Sequence, residues 1–365
     1  MCYNFSIVLN TGKGNDAICK ARQKEVIDLS LDKLRLENFT AFKTLGIEFS
    51  PGINVIIGDN GAGKTHLLKV LYSICRLEMD GRRPVAEEYI KELAACFGSS
   101  APRGLSHPFE LFNSPDERLV IDLNYSGRKF LFEAEMSADG GEFRLEHDAD
   151  SKERLSAVYL PSREMLTHAG IEKEFGDGRL SFDATHLDVL RKASLPELPE
   201  LSDDSAALIG RLEEMIGGRV IYEDGSYFIA RGDRLFDIRL EGEGFKKLAL
   251  VWRLIATGAL TDGSVLFWDE PEANVNPSFI AEMVSIILGL QEMGVQIFLT
   301  SHDYFFSKYL DVKKTEANAV LYHAFYKSEG TVKIETETAF DYLENNNIIS
   351  ETIRLYDEEI KKVME

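Results

Sequence analysis

A glycine-rich segment near the start of the chain has the residue types and the spacing needed to hold a chain of phosphates. Gly58-Asp-Asn-Gly-Ala-Gly-Lys-Thr65 fits the pattern G-x-x-x-x-G-K-[ST], follows the apolar run Ile53–Ile57 and precedes a helical pattern that starts at His66. Glycines let backbone N–H groups wrap a β-phosphate, and the N-terminus of the next helix adds a favourable dipole. Lys64 can reach the β and γ oxygens, and Thr65 can offer its hydroxyl to Mg²⁺. This order of strand, loop and helix favours a nucleoside triphosphate site over a glycine-rich turn that binds nothing. The predicted nucleotide contacts in this segment are Gly58, Asp59, Asn60, Gly61, Ala62, Gly63, Lys64, Thr65 and His66.

Two adjacent acids lie far downstream, at the end of a second apolar run. Val265-Leu-Phe-Trp-Asp269 reads as a buried strand, and Glu270 follows it directly. Ligands collect at the carboxyl edge of a parallel sheet, so Asp269 is expected beside the phosphate loop, where it can hold Mg²⁺ directly or through water. Glu270 is suited to orient or deprotonate an attacking water. Acids at the end of a buried strand are not needed for solubility, so a catalytic role is favoured over a structural one.

A third apolar run, Val295–Thr300, ends in Ser301-His302-Asp303 and brings a histidine to the same predicted edge. His302 can sense a γ-phosphate by hydrogen bonding. The alternatives are a metal-binding His-Asp pair, which no other histidine spacing supports, and a structurally satisfied histidine. The predicted catalytic residues are Glu270, Lys64 and His302, and the predicted metal ligands are Thr65 and Asp269.

Composition limits the classes of protein that this chain can belong to. Its 365 residues predict one large α/β domain with a subdomain, or two lobes. A formal net charge of −20 argues against a protein that coats nucleic acid with a general basic surface, although a local basic patch stays open. The four cysteines have no C-x-x-C spacing, so neither a zinc site nor a disulfide framework is indicated. No apolar run approaches the roughly 18 residues of a membrane span, and no signal-peptide core is present, which predicts a soluble cytoplasmic protein.

The elements that must position these residues alternate between strand and helix. The strand of Asp269, a helix over Pro277–Met293 and the strand Val295–Thr300 form a βαβ unit, which implies a parallel sheet. Three strand-like segments separated by glycine turns predict an antiparallel β subdomain: Arg118–Tyr125, Lys129–Met136 and Glu142–Glu146. Further predicted elements are strands at Leu31–Glu37, Ile47–Phe49 and Leu155–Leu160, helices at Leu67–Leu77, Asp183–Arg191, Ser205–Ile216 and Phe245–Thr257, a hairpin around Asp224-Gly225, an edge hairpin at Ala319–Tyr326 and Thr331–Thr336, and a charged helix from Asn347.

Taken together, the motifs resemble those of the ABC-type ATPases, and more narrowly those of the RecF, SMC and OLD branch. The resemblance rests on the phosphate loop, on Asp269-Glu-Pro271 continuing into Ala273-Asn-Val-Asn-Pro277, and on Thr300-Ser-His302. It implies an α/β head with a mixed or parallel sheet, an antiparallel β subdomain, a helical signature lobe, and ATP and Mg²⁺ as cofactors. It also implies a homodimer or higher homo-oligomer in which two heads sandwich two nucleotides, with Asn274–Asn276 as the D-loop at the seam.

The resemblance also implies a division of the chain. We predict an N-terminal extension over 1–30 and a single ABC-type ATPase domain over 31–365. Within that domain, 31–77 and 240–310 are the nucleotide-binding core, 78–160 a β subdomain with a loop insert, 161–239 a helical lobe with a hairpin, and 311–365 a C-terminal hairpin and helix.

Two departures from the family pattern concern the signature motif and the Q-loop. The signature is represented by Leu240-Glu-Gly-Glu-Gly244, with Glu243 in the place where a serine meets the partner's γ-phosphate. Phosphate repels a carboxylate unless lysines or the metal offset it, so Glu243 and Gly244 are predicted to contact nucleotide through backbone N–H groups at a helix start. Lys246-Lys247 alone indicates a solvated helix face. No glutamine occurs between Thr65 and Asp269, so the predicted substitutes for the Q-loop residue are Ser162, Arg163 and Glu164.

Several functions fit these motifs. The segment Asp269–Asn274 has the sequence Asp-Glu-Pro-Glu-Ala-Asn, and the signature segment contains Glu243-Gly244. This combination resembles compact ATP-binding proteins of bacterial anti-phage defence and toxin-antitoxin loci, including OLD-like and PARIS-like systems. The leading hypothesis is a nucleotide-gated dimeric sensor or scaffold that controls a separate effector, a nuclease or toxin, because the stretch after His302 is too short for an appended nuclease domain.

The second hypothesis is a RecF-like DNA-repair ATPase, which ranks lower because the net charge of the chain is strongly negative. It predicts a basic groove built from Arg82-Arg83, Arg128-Lys129 and Lys246-Lys247. A transporter motor head is disfavoured, because such heads keep the serine signature and the Q-loop and no docking helix for a membrane partner is indicated.

Overall fold

The computed structural model describes residues 30–79, 85–98, 111–137, 140–148, 156–168 and 182–364. The predicted extension up to residue 29, the loop residues 99–110 and the Arg82-Arg83 pair lie outside them. In chain order the strands are β1 (Leu31–Phe39), β2 (Phe42–Glu48), β3 (Ile53–Gly58), β4 (Leu119–Tyr125), β5 (Arg128–Ser137), β6 (Gly140–His147), β7 (Ser156–Leu160), β8 (Arg219–Glu223), β9 (Ser226–Arg231), β10 (Arg234–Asp237), β11 (Ser264–Asp269), β12 (Gln296–Thr300), β13 (Val320–Ser328) and β14 (Thr331–Glu337). The α-helices among these residues are α1 (Lys64–Met79), α2 (Ala86–Cys96), α3 (Ala184–Ser194), α4 (Asp203–Ile216), α5 (Glu243–Ala256), α6 (Pro277–Glu292), α7 (Tyr304–Lys313) and α8 (Asn347–Met364).

A six-stranded sheet forms the centre of the fold, in the order β14-β13-β3-β12-β11-β7. Its neighbouring strands pair in parallel except β13 and β14, which are antiparallel. Every residue of β11 and β12 is buried, as expected where helices or a second layer cover both faces of a parallel sheet. The predicted mixed, mainly parallel sheet is confirmed. The predicted edge hairpin is present, because β13 and β14 pair antiparallel at one end of the sheet, with β14 as the outermost strand and β13 pairing with β3.

A five-stranded antiparallel sheet, in the order β2-β1-β4-β5-β6, forms a second layer. The three predicted antiparallel strands are β4 to β6, and they continue the sheet that β1 and β2 begin, because β1 pairs with both β2 and β4. The strands before the phosphate loop and those after it therefore share one sheet.

Helix α1 lies between these two layers. Leu67 and Leu71 of α1 share a buried cluster with Leu36 of the antiparallel sheet and with Ile56 of β3. On the other side of the central sheet, Val55 belongs to a second cluster together with residues of α3 to α6. Because side chains alternate along a strand, β3 contributes to both cores, and the phosphate loop that follows it is anchored from both sides.

The remaining described elements form a small lobe and a C-terminal helix. A three-stranded sheet, β10-β9-β8, contains the predicted hairpin, where Asp224 and Gly225 both have positive φ as a two-residue turn requires. Helix α5 is buried at every position from Lys246 to Ala256. Helix α8 has no buried residue.

Candidate functional site

The glycine loop between β3 and α1 has a backbone that only glycine fits at two positions. Gly58 has a φ of +135°, and a Cβ there would lie 2.0 Å from the carbonyl oxygen of Phe325. Gly63 has a φ of +90°, and a Cβ there would lie 2.5 Å from the ring of Phe42. The loop is thus held against β13 and the β1–β2 turn, and its conformation depends on tertiary neighbours as well as on its own glycines.

Lys64 begins α1 and folds back over the loop. Its Nζ donates to the carbonyl oxygens of Gly58 at 2.8 Å and Asp59 at 2.9 Å. Burial lowers the pKa of Lys64 to about 8, while Glu270 and Asp269 act in the opposite direction. The ammonium stays mainly charged at neutral pH, and its present partners are neutral carbonyls that phosphate oxygens can replace.

Thr65 and Asp269 come together as the metal pair that the sequence predicts. The hydroxyl of Thr65 lies 3.1 and 3.2 Å from the two carboxylate oxygens of Asp269. Thr300, paired with Asp269 across β11 and β12, donates to the same carboxylate at 2.5 Å. These oxygens suit Mg²⁺, which is often bound through one or two carboxylates, waters and substrate phosphates. No group of three or more His, Cys, Asp or Glu side chains in the described part of the chain could by itself cage a metal ion.

Glu270 and His302 meet at the same edge. Nε2 of His302 lies 3.3 Å from Oε1 of Glu270. Burial and the nearby charge of Lys64 lower the pKa of His302, in opposition to Glu270 and Asp269. His302 is therefore mainly neutral at neutral pH, and its ring lies beside the Glu270 carboxylate.

Glu272 is a residue of this site that the sequence interpretation missed. Its Oε1 accepts from the hydroxyl of Ser301 at 2.7 Å and from the backbone N–H of His302 at 3.1 Å. Burial raises the pKa of Glu272 to about 7 in spite of these hydrogen bonds. Its carboxyl therefore ties the loop after β11 to the loop after β12. The signal available in the sequence was a third acid just after Asp269-Glu270.

The prediction of a solvated face at Lys246-Lys247 is wrong. These side chains are only 7% and 5% exposed, because α5 is covered by its neighbours on all sides. Lys246 pairs with Glu243 at 3.0 Å. Nζ of Lys247 donates to the carbonyl oxygens of Glu270 at 3.1 Å, Pro271 at 3.2 Å and Ala273 at 2.7 Å. Burial lowers the pKa of Lys247 to about 8.

The signature segment lies at the start of α5, beside Asn274–Asn276. Gly242 is the N-cap and offers no side chain, so the first N–H groups of α5 have no side-chain cap. Gly244 faces Val275, and the segment from Gly242 to Phe245 lines one recess with Asn274–Asn276 and Phe279. The structure therefore brings Glu243 and Gly244 to the predicted D-loop.

The predicted substitutes for the Q-loop residue and the predicted nucleotide contact His66 have the following surroundings. Glu164 accepts from the backbone and hydroxyl of Thr167 at 2.8 and 2.6 Å, so its carboxylate caps a turn, whereas Ser162 and Arg163 are less buried. The His66 ring packs edge-on against Phe97, and its Nδ1 is buried without a hydrogen-bond partner in the described residues. Buried polar atoms usually have a hydrogen-bond partner, so an unpartnered Nδ1 next to Thr65 is consistent with the predicted contact between His66 and a phosphate.

One contact joins the phosphate loop to the C-terminal helix. Nδ2 of Asn347, the first residue of α8, donates to Oδ1 of Asp59 at 2.6 Å. No local pattern predicted this contact, because the two residues are far apart in the chain.

Comparison with known proteins agrees with this geometry. A family model described as "AAA domain" matches residues 33–77, and one described as "AAA domain, putative AbiEii toxin, Type IV TA system" matches residues 166–307. The structure of an SMC head bound to the C-winged helix domain of ScpA is similar, with a TM-score of 0.50 and 14% identity over 86% of this chain and 98% of that chain. The chain has the α/β fold of an SMC-like ATPase head. The matched segments contain the phosphate loop, Asp269, Glu270 and His302.

Curated relatives match over shorter stretches. The DNA replication and repair protein RecF of Listeria monocytogenes is 36% identical over 86 residues, which are 23% of this chain and 23% of the relative. RecF of Oenococcus oeni is 50% identical over 42 residues, which are 12% of this chain and 11% of the relative. The chain thus spans less than a quarter of the length of these relatives. The predicted likeness to the RecF and SMC branch is supported at this level. In the described residues, no helix combines the length and apolar character needed to cross a bilayer.

Proposed function

We propose that the chain is an Mg²⁺-dependent ATPase, and that bound ATP closes two copies into a dimer that controls a separate effector in anti-phage defence. One observation carries the ATPase part. The adjacent strands β3, β12 and β11 end at one edge of the sheet, where Lys64, the Thr65–Asp269 pair and the Glu270–His302 pair lie together. These are the parts that phosphoryl transfer to water needs: a phosphate cradle, a metal pair and a water-orienting acid.

Each residue has a role that its present contacts support. Lys64 would exchange the carbonyl oxygens of Gly58 and Asp59 for β and γ oxygens. Thr65 and Asp269 would hold Mg²⁺, which, when bound, supplies charge neutralisation to those oxygens. Glu270 orients the attacking water and accepts its proton. The His302 ring lies 3.3 Å from the Glu270 carboxylate and close enough to the site to respond to a γ-phosphate.

The surface around the signature segment supports the dimer. The uncapped N–H groups at the start of α5 form a positive helix end, and the recess beside it contains Asn274–Asn276. A partner's triphosphate is the ligand that such a helix end suits. Lys246 offsets the charge of Glu243, which would otherwise repel the phosphate.

The effector and the defence role are inferred from the comparisons. The solved SMC head that shares this fold is bound to a domain of another protein, ScpA, and we extend the idea of a separate partner to this chain. The family model over 166–307 is described in terms of a toxin system, which favours a defence or toxin-antitoxin setting.

The test is a comparison of the wild type with Glu270→Gln and Lys64→Ala. The wild type should release phosphate from ATP only with Mg²⁺. Glu270→Gln should bind ATP normally, hydrolyse it at least about a hundredfold more slowly because the general base is lost, and accumulate as a dimer in light scattering. Lys64→Ala should give neither binding nor a dimer. Normal hydrolysis by Glu270→Gln would show that Glu270 is not the water-orienting residue.

A RecF-like DNA-binding ATPase is the second candidate, favoured by the 36% identity to RecF over 86 residues. The described structure weakens the predicted basic groove, because Lys246 and Lys247 are buried and Lys129 lies 3.7 Å from Asp122. Filter binding of duplex DNA with ATP at low salt separates the two candidates. Tight, salt-sensitive binding would favour the second.

A further inference from the structure

Lys247 is a buried lysine whose three N–H donors all go to one loop. The ammonium contacts the carbonyl oxygens of Glu270, Pro271 and Ala273. Among the described residues it has no ion pair within 4 Å, although Glu272 and Glu270 are near enough to favour its charged form. Burying a cation with no carboxylate in direct contact is costly, so such a residue persists where its hydrogen bonds hold something in place. What it holds is the loop that carries Glu270.

That loop has a strained backbone. Glu270 has a φ of +49° and Asn274 a φ of +60°, both in the left-handed region that disfavours residues with a Cβ. Glu270 is clamped on both sides of this strained position. Its N–H donates to the hydroxyl of Thr300 at 3.0 Å, and its carbonyl accepts from Lys247 and from the backbone N–H of Ala273, both at 3.1 Å.

The strained conformation sets the direction of the Glu270 side chain. In it, the carboxylate lies 3.3 Å from His302. Without Lys247 the Glu270 carbonyl would keep only the hydrogen bond from the Ala273 N–H, which belongs to the same short loop and would move with it. The residue could then relax to an ordinary φ, and rotation about the backbone would carry the carboxylate away from His302. A shift of about 1 Å at a catalytic group can cost about a hundredfold in rate.

We propose that Lys247 is a positioning residue that holds the left-handed backbone at Glu270 and so aims the Glu270 carboxylate at the attacking water. This inference rests on the proposed ATPase function. It also implies that α5 connects two sites. The helix starts at the signature segment, and one turn later its Lys247 contacts the loop that carries Glu270 in the same subunit. A displacement of α5 by a partner's nucleotide would therefore change the position of Glu270.

Helix α5 offers a matched control. Arg253 is 3% exposed and donates to the carbonyl oxygens of Ala193 at 3.0 Å and Leu195 at 2.8 Å, and to Glu197 at 2.8 Å. It is a buried cation on the same helix that holds a loop with no part in the site. Arg253→Met therefore measures how losing the hydrogen bonds of a buried cation on α5 affects stability and rate when the position of Glu270 is unchanged.

The experiment measures ATP affinity, kcat and hydrogen exchange for the wild type, Lys247→Met, Lys247→Gln and Arg253→Met, below the unfolding temperature of each. For Lys247→Met we expect an ATP dissociation constant within about threefold of wild type, kcat about a hundredfold lower and faster exchange over residues 270–274. Lys247→Gln, which keeps donors and fills most of the space, should fall between. Arg253→Met should keep kcat within about twofold. In a Glu270→Gln background, Lys247→Met should cause no further loss, because both changes act through one carboxylate.

The outcomes separate this inference from the proposed function. If the wild type neither binds nor hydrolyses ATP, the proposed function fails. If the wild type hydrolyses ATP and either Lys247 variant does so at the rate of Arg253→Met, Lys247 has only a structural role and the inference is overturned. Should Lys247→Met not fold, the rate and exchange of Lys247→Gln decide.

Discussion

Replacing Thr300 by valine tests whether one hydroxyl aligns both acids of the site. Thr300 is fully buried, its Oγ1 donates to the Asp269 carboxylate at 2.5 Å, and the same oxygen accepts from the Glu270 N–H at 3.0 Å. Valine has nearly the same shape, so the change removes two hydrogen bonds with little loss of packing. A hydrogen bond to a charged group contributes about 1.5–3 kcal/mol, and an N–H left unpaired costs about 1–3 kcal/mol.

These magnitudes predict that Thr300→Val lowers the free energy of unfolding by about 2.5–6 kcal/mol. If half of that loss is felt in the transition state, kcat falls about eight- to 160-fold. Because Asp269 loses the group that orients it, the Mg²⁺ concentration for half-maximal activity should rise about tenfold or more. Urea denaturation and phosphate release at varied Mg²⁺ measure the three quantities.

Thr257→Val is the matched control. Thr257 is also buried, but its hydroxyl has only a 3.4 Å contact with the Leu254 carbonyl oxygen, far from the site. It should lose less than about 1 kcal/mol and keep both kcat and the Mg²⁺ requirement. If Thr300→Val behaves like Thr257→Val in all three measurements, the hydroxyl does not align the acids and the reasoning is refuted.

Three further predictions concern Lys64, His302 and Glu272. Lys64→Ala should reduce triphosphate binding at least about a hundredfold in a fluorescent-nucleotide titration while ADP loses less, because the ammonium faces the β and γ oxygens; equal losses for ATP and ADP would contradict this role. His302→Ala should lower kcat about ten- to hundredfold with ATP affinity nearly unchanged, because Glu270 loses the side chain that lies beside its carboxylate, and a selective rise in the dissociation constant would assign His302 to binding instead. The folded pKa of Glu272 is raised to about 7 from 4.5, so the protonated form stabilises the fold at low pH, and this contribution is lost as pH rises from about 4.5 through 7. Glu272→Gln should therefore gain stability relative to wild type between pH 5 and pH 8 in urea denaturation; a constant difference would show that the carboxyl titrates normally.

How far the sequence predicted the site depends on how local each feature is. The phosphate loop, Asp269, Glu270 and His302 could be identified because each lies in a contiguous motif at the end of an apolar strand, and parallel strands end at a common edge. Lys247 could not, because a lysine pair at the start of a helix is usually solvated, and only the burial of α5 reverses that expectation. The signature segment is intermediate, since the helix start is visible in the sequence but its position beside Asn274–Asn276 is not.

By itself the sequence determined the order of strands and helices, the position of the glycine loop between a strand and a helix, and the chemistry of the groups that follow the strands, because these depend on neighbours within a few residues. Tertiary structure alone decided that β1 and β2 share a sheet with β4 to β6, that Asn347 reaches Asp59, that Glu272 ties two loops together and that Lys247 holds the backbone of Glu270. Such contacts join residues far apart in the chain, and they form only when the two cores pack around α1 and α5. Burial then gives the same side chain a different partner and a different pKa from those its local sequence suggests.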